Sequence, residues 1–561
     1  MKMLLCALIL VTQSAMAFDW NEPDWSANST LPAEGSRQNL YQLPEDQFSQ
    51  IQDVGYVHAL RWPVNVSGLY IPYKPLENFL ESDSNNPIKR LIQKFGQRRL
   101  GYSDMDGLYA WLGLNKYPDE GSVTGIYRIP FPDGFKPKYR MGASILNLNG
   151  VQGLTFGCAG CHSGVFMGRT IMGLTNKRPR ANEFFMMAKK YVPKIPSHLF
   201  AYGTNASEEE RKLYKYTQDN LRAVGAVMPQ SLGLDTSLPH VALSLSHRKD
   251  DEYATKSRVL ERNPTPNKLE TMVADSKPLP WWNLKHKTRW LSDGSIVAGN
   301  PILTNFLWNE LGRGTDLKEL EQWMKDNQDT VRELTAAAFA TQAPRWTDFF
   351  PAGSIDLDSA KRGQTLFKNS CQKCHGEYQK AWDLPNASEL SEVEILSNSK
   401  VLYPKKTEVK DVGTDPNRWM ATQYFAERLN KLRISKWMKT VVEPQKGYVP
   451  PPLEGIFSRY PYFHNNSIPN LCALMEHPTR RPKFFVQGPS TDASHYDADC
   501  VGYPVGDKIP ASWMKEKEAH YKANKPGLLN IGHSKAFYDE QGQPLMSESE
   551  KRDLRMFLKT L

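Results

Sequence analysis

Two copies of one five-residue pattern constrain this chain more than any other feature. Cys158-Ala-Gly-Cys161-His162 and Cys371-Gln-Lys-Cys374-His375 both read C-x-x-C-H, the attachment signature of c-type haem. On a short helical turn, two thiols at this spacing reach the two vinyl groups of one porphyrin. The histidine that follows then donates an imidazole nitrogen to the iron. The sequence therefore predicts two covalently bound haem c groups.

Paired cysteines also occur in zinc sites and in thioredoxin-like redox motifs. A zinc site needs further Cys or His ligands at the usual spacing, and no second cysteine pair stands near either motif. A redox motif needs a strand–helix–strand context, which the flanking sequence does not indicate. Haem attachment is thus the prediction for both motifs, with calcium left open as a further cofactor.

The first 17 residues have the pattern of an export signal. Lys2 precedes the apolar run 3–11, and Ala15-Met16-Ala17 is a small-x-small cleavage site, so the mature chain is predicted to begin near Phe18. The apolar run is too short to cross a bilayer, and no later stretch approaches about 18 uninterrupted apolar residues. We expect a periplasmic or secreted protein without a membrane span.

Two cysteines, Cys472 and Cys500, belong to neither motif nor signal. In an oxidising compartment they are candidates for a disulfide, the alternative being two separate buried thiols. The net charge of +9 is spread along the chain, which indicates a solvated basic surface rather than a nucleic-acid-binding face.

The flanks of the second motif predict a cytochrome c-like domain. Residues 360–367 read as a helix that ends just before Cys371. Ser547 and Glu550 form a capping box that opens a last helix with one apolar stripe. In a small cytochrome c domain the first and last helices cross, and Gly363 would allow a close approach. The members of the stripe are Leu554, Phe557, Leu558 and Leu561.

The region before the second motif is too long for a minimal haem domain. Within it, one helix is predicted over 316–338, with Leu317, Leu320 and Trp323 at a spacing of three. We predict a mainly α protein with two cytochrome c-like haem domains, long loop-rich insertions and few short strands. The predicted divisions are a signal at 1–17, an enlarged N-terminal haem domain at 18–350 and a C-terminal cytochrome c domain at 351–561.

The sixth iron ligands separate an electron carrier from an enzyme, because an enzyme that acts on oxygen or peroxide keeps one axial position open. For the second haem the strongest candidate is His533, in a glycine-flanked loop before the last helix; Met475 is the alternative. His464 follows an aromatic stretch and is a candidate partner for a haem propionate, or else a core histidine.

Several blocks resemble the dihaem rubber oxygenase family, part of the wider dihaem cytochrome c peroxidase superfamily. The most specific is the block at 451–471, which contains Pro461-Tyr462-Phe463-His464. The blocks at 280–287 and 480–485 and the Gly532-His533 loop are also similar.

The resemblance implies a division of labour between the haems. The haem on His162 would have a distal site open to oxygen or peroxide, and the haem on His375, with His533 opposite, would be an electron reservoir. A tryptophan between them would assist electron transfer. The candidates are Trp281, Trp282 and Trp290, with core packing as the alternative role for each.

One departure concerns the peroxidases of this superfamily. They place a distal Glu and Gln soon after a Trp-Asp-Gly element, which Trp290-Leu-Ser-Asp-Gly294 loosely resembles. Here no Gln follows at that distance, and Glu310 is only a loose positional match. Peroxide cleavage benefits from such an acid–base group, so the peroxidase interpretation is weakened.

Three functions follow from these observations. The first is a dihaem oxidoreductase that acts on dioxygen or peroxide, with an organic substrate or a redox protein as partner. The second is a non-catalytic periplasmic electron carrier whose haems are both six-coordinate. The third is a haem-based ligand sensor. Nothing in the sequence identifies the organic substrate.

Overall fold

The computed structural model describes residues 20–81, 85–119, 125–397, 399–489 and 493–561. The predicted export signal at 1–17 lies outside these ranges. Helix dominates the described residues, and strands are few and short. The predicted mainly α class is therefore confirmed, whereas the domain boundary near residue 350 stays a prediction.

Helices form both before and after residue 350. Those before it are α1 Glu45–Leu60, α2 Tyr73–Glu81, α3 Pro87–Leu100, α4 Met105–Trp111, α5 Ala159–His162, α6 Ala181–Tyr191, α7 Ser197–Thr204, α8 Glu208–Leu221, α9 Ser237–Ser246, α10 Arg258–Arg262, α11 Pro301–Arg313, α12 Leu317–Asp326 and α13 Gln328–Ala340. Those after it are α14 Leu357–Ser370, α15 Gln372–His375, α16 Glu392–Ser397, α17 Asn417–Ala421, α18 Ala426–Lys431, α19 Arg433–Trp437, α20 Leu471–Leu474 and α21 Glu548–Lys559.

The strands form small antiparallel sheets. They are β1 Ile71–Pro72, β2 Ala143–Leu148, β3 Val151–Phe156, β4 Ser163–Phe166, β5 Arg169–Met172, β6 Ile296–Ala298, β7 Glu377–Lys380, β8 Ser399–Leu402, β9 Val441–Val442, β10 Phe484–Val486 and β11 His520–Lys522. The three-stranded sheet has the order β1-β3-β2, and the pairs are β4-β5, β6-β9, β7-β8 and β10-β11.

Two hairpins frame the first C-x-x-C-H motif. The strands β2 and β3 pair from Ala143 opposite Phe156 to Leu148 opposite Val151, and β4 and β5 pair from Ser163 opposite Met172. The short helix α5 lies between the two hairpins. The first motif is thus presented by paired strands, unlike the second motif, which follows a long helix.

The helices α14 and α21 cross as predicted. The Ser547–Glu550 capping box is present, and all four members of the apolar stripe are buried. A Cβ atom on Gly363 would lie 2.0 Å from the carbonyl oxygen of Asp553. Arg362 Nε also donates to Asp553 Oδ2 at 2.8 Å. The backbones of the two helices therefore approach closely at this glycine.

The single helix predicted over 316–338 is wrong in one respect. The segment forms two helices, α12 and α13, with a break at Asn327. The φ of −123° and ψ of 38° at Asn327 are not helical. The Asn327 side chain donates to the carbonyl of Trp323 at 2.7 Å. An asparagine that bonds the local backbone in this way competes with helix propagation. Leu317, Leu320 and Trp323 are buried as expected.

Cys472 and Cys500 form a disulfide across 28 residues. The backbone N–H of Leu471 also donates to the carbonyl of Cys500 at 2.8 Å. Together these links tie α20 to the loop near residue 500.

The buried side chains form two large clusters, and adjacent tryptophans belong to different ones. Trp281 lies in the cluster that contains α1, α11 and α13, whereas Trp282 lies in the cluster that contains α14 and α21. The short 3-10 helix Trp281–His286 therefore joins the two cores.

No helix in the described ranges has the length and apolar character that a bilayer crossing requires.

Gly363→Ala is expected to lower the free energy of unfolding by about 1–3 kcal/mol, because the added methyl overpacks the α14–α21 contact. Chemical denaturation monitored by circular dichroism measures this. Gly353→Ala is the matched control, since a Cβ atom there meets nothing within 4 Å. Equal stability of the two variants would contradict the proposed tight crossing.

Candidate haem-binding sites

The histidine of the first motif is buried against a tryptophan. The ring of His162 lies 5.2 Å, centre to centre, from the ring of Trp281. The backbone carbonyl of His162 accepts from Gly173, whose own carbonyl accepts from the backbone of Trp281. Burial lowers the pKa of His162 to about 4, a shift that the backbone of Leu279 partly opposes. His162 is thus a neutral imidazole, the form that binds a metal.

Glu310 lies in a buried cluster near the first motif but is fully engaged. Trp62 Nε1 donates to its Oε1 at 2.8 Å, Arg313 Nη1 donates to the same oxygen at 3.3 Å, and the Thr315 hydroxyl donates to Oε2. Arg313 is close enough to Cys158 to lower the pKa of its thiol slightly against the effect of burial. Glu310 therefore holds the cluster together, and neither of its oxygens is available as a free acid or base.

The histidine of the second motif is oriented by one backbone group. His375 Nδ1 donates to the carbonyl of Pro451 at 2.8 Å. Metal-binding histidines commonly donate their second nitrogen to a carbonyl in this way, which leaves Nε2 as the ligand atom. Burial lowers the pKa of His375, with Arg459 adding to the shift.

His533 lies across a cavity from His375. The cavity has a volume of about 860 Å³, and its lining includes both cysteines of the motif, His375 and His533. The two imidazole centres are 6.2 Å apart. Two imidazoles that bind one metal from opposite sides have ring centres about 6 Å apart, because each metal–nitrogen bond is about 2.1 Å. The observed separation fits a haem iron between the rings.

The electrostatics of His533 fit the same role. Burial lowers its pKa to about 4, and the neighbouring His375 and Arg481 lower it further. Its Nδ1 is buried without a hydrogen-bond partner among the residues that the structure describes. A neutral imidazole opposite a C-x-x-C-H motif is the donor that a six-coordinate haem c requires.

The loop that carries His533 is held by Arg481. This buried guanidinium donates through Nη1 to the carbonyls of Asn530 at 2.7 Å and Gly532 at 2.8 Å. Gly532 has a φ of +79°, and a Cβ atom there would lie 2.3 Å from the backbone of Gly413. His533 itself has a φ of 54°, and its N–H donates to Val412. A left-handed non-glycine residue is costly and is held only by its surroundings.

Met475, the alternative sixth ligand, and His464, the candidate propionate partner, line the same cavity. Met475 is buried there, and Arg555 contacts its sulfur at 4.0 Å. His464 stacks on Tyr448 with ring centres 4.0 Å apart, and its Nε2 lies 3.0 Å from the Tyr448 hydroxyl. That hydroxyl donates to the carbonyl of Asp415, so His464 Nε2 must be the donor to Tyr448. The Nε2 atom of His464 is thus already hydrogen-bonded within the protein.

The structure separates the three candidate tryptophans. Trp281 contacts the first motif at His162, and Trp282 Nε1 donates to the carbonyl of Glu454 at 3.0 Å, three residues after Pro451. Trp281 thus contacts one motif histidine, and Trp282 contacts the segment whose Pro451 carbonyl orients the other.

Trp290 lies elsewhere, packed with Trp25 and Phe339 and beside the Arg37 guanidinium. Among the described residues, no ring contact joins Trp290 to His162 or His375.

Other uses of the cysteines gain no support from the structure. Burial raises the pKa of the Cys158, Cys161 and Cys371 thiols to about 12, whereas redox-active cysteines have lowered values. Among the described residues no group of three or more His, Cys, Asp or Glu side chains could hold a metal ion. This finding gives no support to a zinc site or to a calcium site.

Sequence reasoning missed the residues that orient the ligands. Pro451 acts through its backbone carbonyl, and Arg481 acts by donating to backbone carbonyls. Contacts with the backbone leave no spacing pattern in a sequence. Their only signal was that both lie in blocks that resemble the rubber oxygenases.

A family model described as RoxA-like, cytochrome c-like, matches residues 447–486. This segment includes Pro451 and Arg481, and the match supports a haem c protein related to RoxA-like cytochromes. The uncharacterized protein y4iJ of Sinorhizobium fredii is 27% identical, over 73% of this chain and 76% of its own length. The uncharacterized protein y4iM of the same organism is 28% identical, over 32% of this chain and 42% of its own length.

Arg481→Lys is expected to loosen the His533 loop, because one ammonium cannot replace a planar guanidinium that donates to several carbonyls. The free energy of unfolding should fall by about 1–3 kcal/mol, and the low-spin haem spectrum should weaken. Arg480→Lys is the matched control, since Arg480 is an exposed partner of Glu476. If the two variants behave alike, Arg481 does not hold the loop.

Proposed function

We propose that this chain is an exported dihaem c-type cytochrome that acts as an oxidoreductase on dioxygen or peroxide. The haem at Cys158 and Cys161 would take the oxidant, and the haem at Cys371 and Cys374 would transfer electrons. The predicted signal at 1–17 and the similarity to RoxA-like cytochromes support a periplasmic or secreted location.

The observation that carries this proposal is the difference between the two motifs. His375 has a second histidine ring, His533, at 6.2 Å across a cavity. His162 has no such partner among the histidine rings of the described residues; its ring neighbour is Trp281. A six-coordinate iron suits electron transfer, and an iron with one protein ligand keeps a position for a small molecule.

The protein groups have distinct tasks in this scheme. A bound haem would supply the redox chemistry, while the protein supplies orientation, charge and exclusion of water. Burial keeps His162 neutral, and the contact with Trp281 limits the rotation of its ring. Pro451 sets the tautomer of His375, and Arg481 positions the loop of His533.

The state of Glu310 favours dioxygen over peroxide as the oxidant. Heterolytic cleavage of peroxide benefits from a positioned acid–base group. Glu310 is the nearest match to that group in the sequence, yet Trp62, Arg313 and Thr315 occupy both of its oxygens. A site without such a group is compatible with oxygen chemistry.

Trp281 and Trp282 are proposed as the route for electrons between the two haems. They are adjacent in the chain, and their side chains contact the separate sites of His162 and Glu454. Both indoles are buried, so a path through them stays inside the protein. Trp290 has no contact of this kind and is proposed to have a packing role.

Absorption spectra of the reduced protein with and without carbon monoxide test the proposed function. About half of the haem absorbance should respond, because only the first iron has an open position. His533→Ala should extend the response to all of the haem, whereas Met475→Leu should not. No response in the parent protein would instead support the electron carrier with two six-coordinate haems.

Trp281→Phe should slow electron equilibration between the two haems, measured after flash photoreduction, without changing the carbon monoxide response. Phenylalanine keeps the packing but is a poorer relay than indole. Trp290→Phe is the control because Trp290 is equally buried but contacts neither site. Equal slowing in both variants would contradict the proposed route.

A further inference from the structure

One part of the wall around His375 and His533 carries three basic side chains. Lys277, Lys287 and Arg459 all line this cavity. They come from two separate stretches of the chain that the fold brings together at one site. No part of the proposed function so far uses them.

Lys287 is the clearest of the three. Lys287 is only 2% exposed. Its ammonium has no hydrogen-bond or ion-pair partner among the described residues. Burying an ammonium without a partner is costly. A residue of this kind indicates that a partner outside the polypeptide completes the site.

The other two cations bond only to neutral groups. Lys277 Nζ donates to the carbonyls of Arg459, at 3.0 Å, and Pro461. Arg459 Nη1 donates to the carbonyls of Pro452 at 2.7 Å and Glu454 at 3.4 Å. Carbonyl bonds orient the two side chains but do not cancel their charge.

The carboxylates near the cavity are engaged elsewhere. Glu454 Oε2 lies 2.7 Å from His286 Nε2, and Asp411, on the exposed rim, accepts from the N–H of Gly413. Burial lowers the pKa of Lys277 and of Lys287 to about 7, and the positive charge of Arg459 adds to both shifts. No carboxylate contributes to either shift, so the two lysines lack a counter-ion, whereas Glu454 lies close enough to Arg459 to raise its pKa against the effect of burial.

We propose that Lys277, Lys287 and Arg459 form an anion-binding site for the two carboxylates of the second haem. This inference rests on the proposed attachment at Cys371 and Cys374. A haem carries its two propionates on the ring edge away from the vinyl groups that the cysteines bind. Two carboxylates would supply the counter-charge that the two lysines lack, and Arg459 can hold a carboxylate through two parallel bonds.

The site would also set the redox behaviour of the second haem. Positive charge near an iron favours the reduced form, and net charge and burial both shift haem potentials. Because the cations are buried, solvent screens them little. They would raise the midpoint potential of the haem and so favour its role as an electron reservoir.

The test combines Lys287→Met with readouts that do not depend on activity. Intact-protein mass spectrometry counts the attached haems, spectroelectrochemistry gives the midpoint potential of the second haem, and resonance Raman spectra report hydrogen bonds to the propionates. Lys287→Met is expected to keep both haems, to shift the potential to a more negative value and to move the propionate bands. Lys287→Arg keeps the charge and should restore the parental values.

Lys410→Met is the matched control. Lys410 lines the same cavity, but it is partly exposed and paired with Glu408 at 2.7 Å, so its loss should leave the potential and the propionate bands unchanged. Lys277→Met is a second test variant in case Lys287→Met does not fold. Parental potential and bands in both test variants would overturn the proposed site. A parent protein with no second haem mass would instead overturn the proposed function.

Discussion

The hydrogen bond from His375 to the carbonyl of Pro451 is the contact on which the second site depends. It selects the ring nitrogen that faces the cavity, and it joins the C-x-x-C-H motif to the segment 447–486. The same segment supplies Arg459 on the cavity wall and Arg481, which holds the loop of His533. One stretch of chain thus orients both imidazoles and contributes charge, and it is the stretch that the RoxA-like family model matches.

The two motifs are identical in pattern but differ in surroundings, and that difference underlies the proposed division of roles. The first is presented by two hairpins and contacts a tryptophan, whereas the second follows a long helix and faces a second histidine. The adjacent residues Trp281 and Trp282 are buried in different cores. In the proposed scheme, attachment alone would say little about reactivity; the groups beyond each motif would determine whether an iron transfers electrons or binds a small molecule.

Local patterns were predicted well where a single element carries the signal. The capping box at Ser547, the apolar stripe of α21 and the close approach at Gly363 are all present. The helix predicted over 316–338 failed at Asn327, where a side-chain bond to Trp323 competes with the helical pattern. Hydrophobic periodicity continues across such a break, because α12 and α13 both bury apolar faces.

The sequence by itself predicts the attachment chemistry, since cysteine spacing and the adjacent histidine act within one helical turn. It also proposed His533 as a ligand and Cys472 with Cys500 as a disulfide, but it could not supply the distances. Only the tertiary structure placed His533 at 6.2 Å from His375, separated Trp290 from Trp281 and Trp282, and brought Lys277 and Lys287 to the same wall as Arg459. The reason is physical. These contacts join residues that are far apart in the chain, and they depend on backbone carbonyls and buried charges. Neither kind of contact produces a periodic pattern in the sequence.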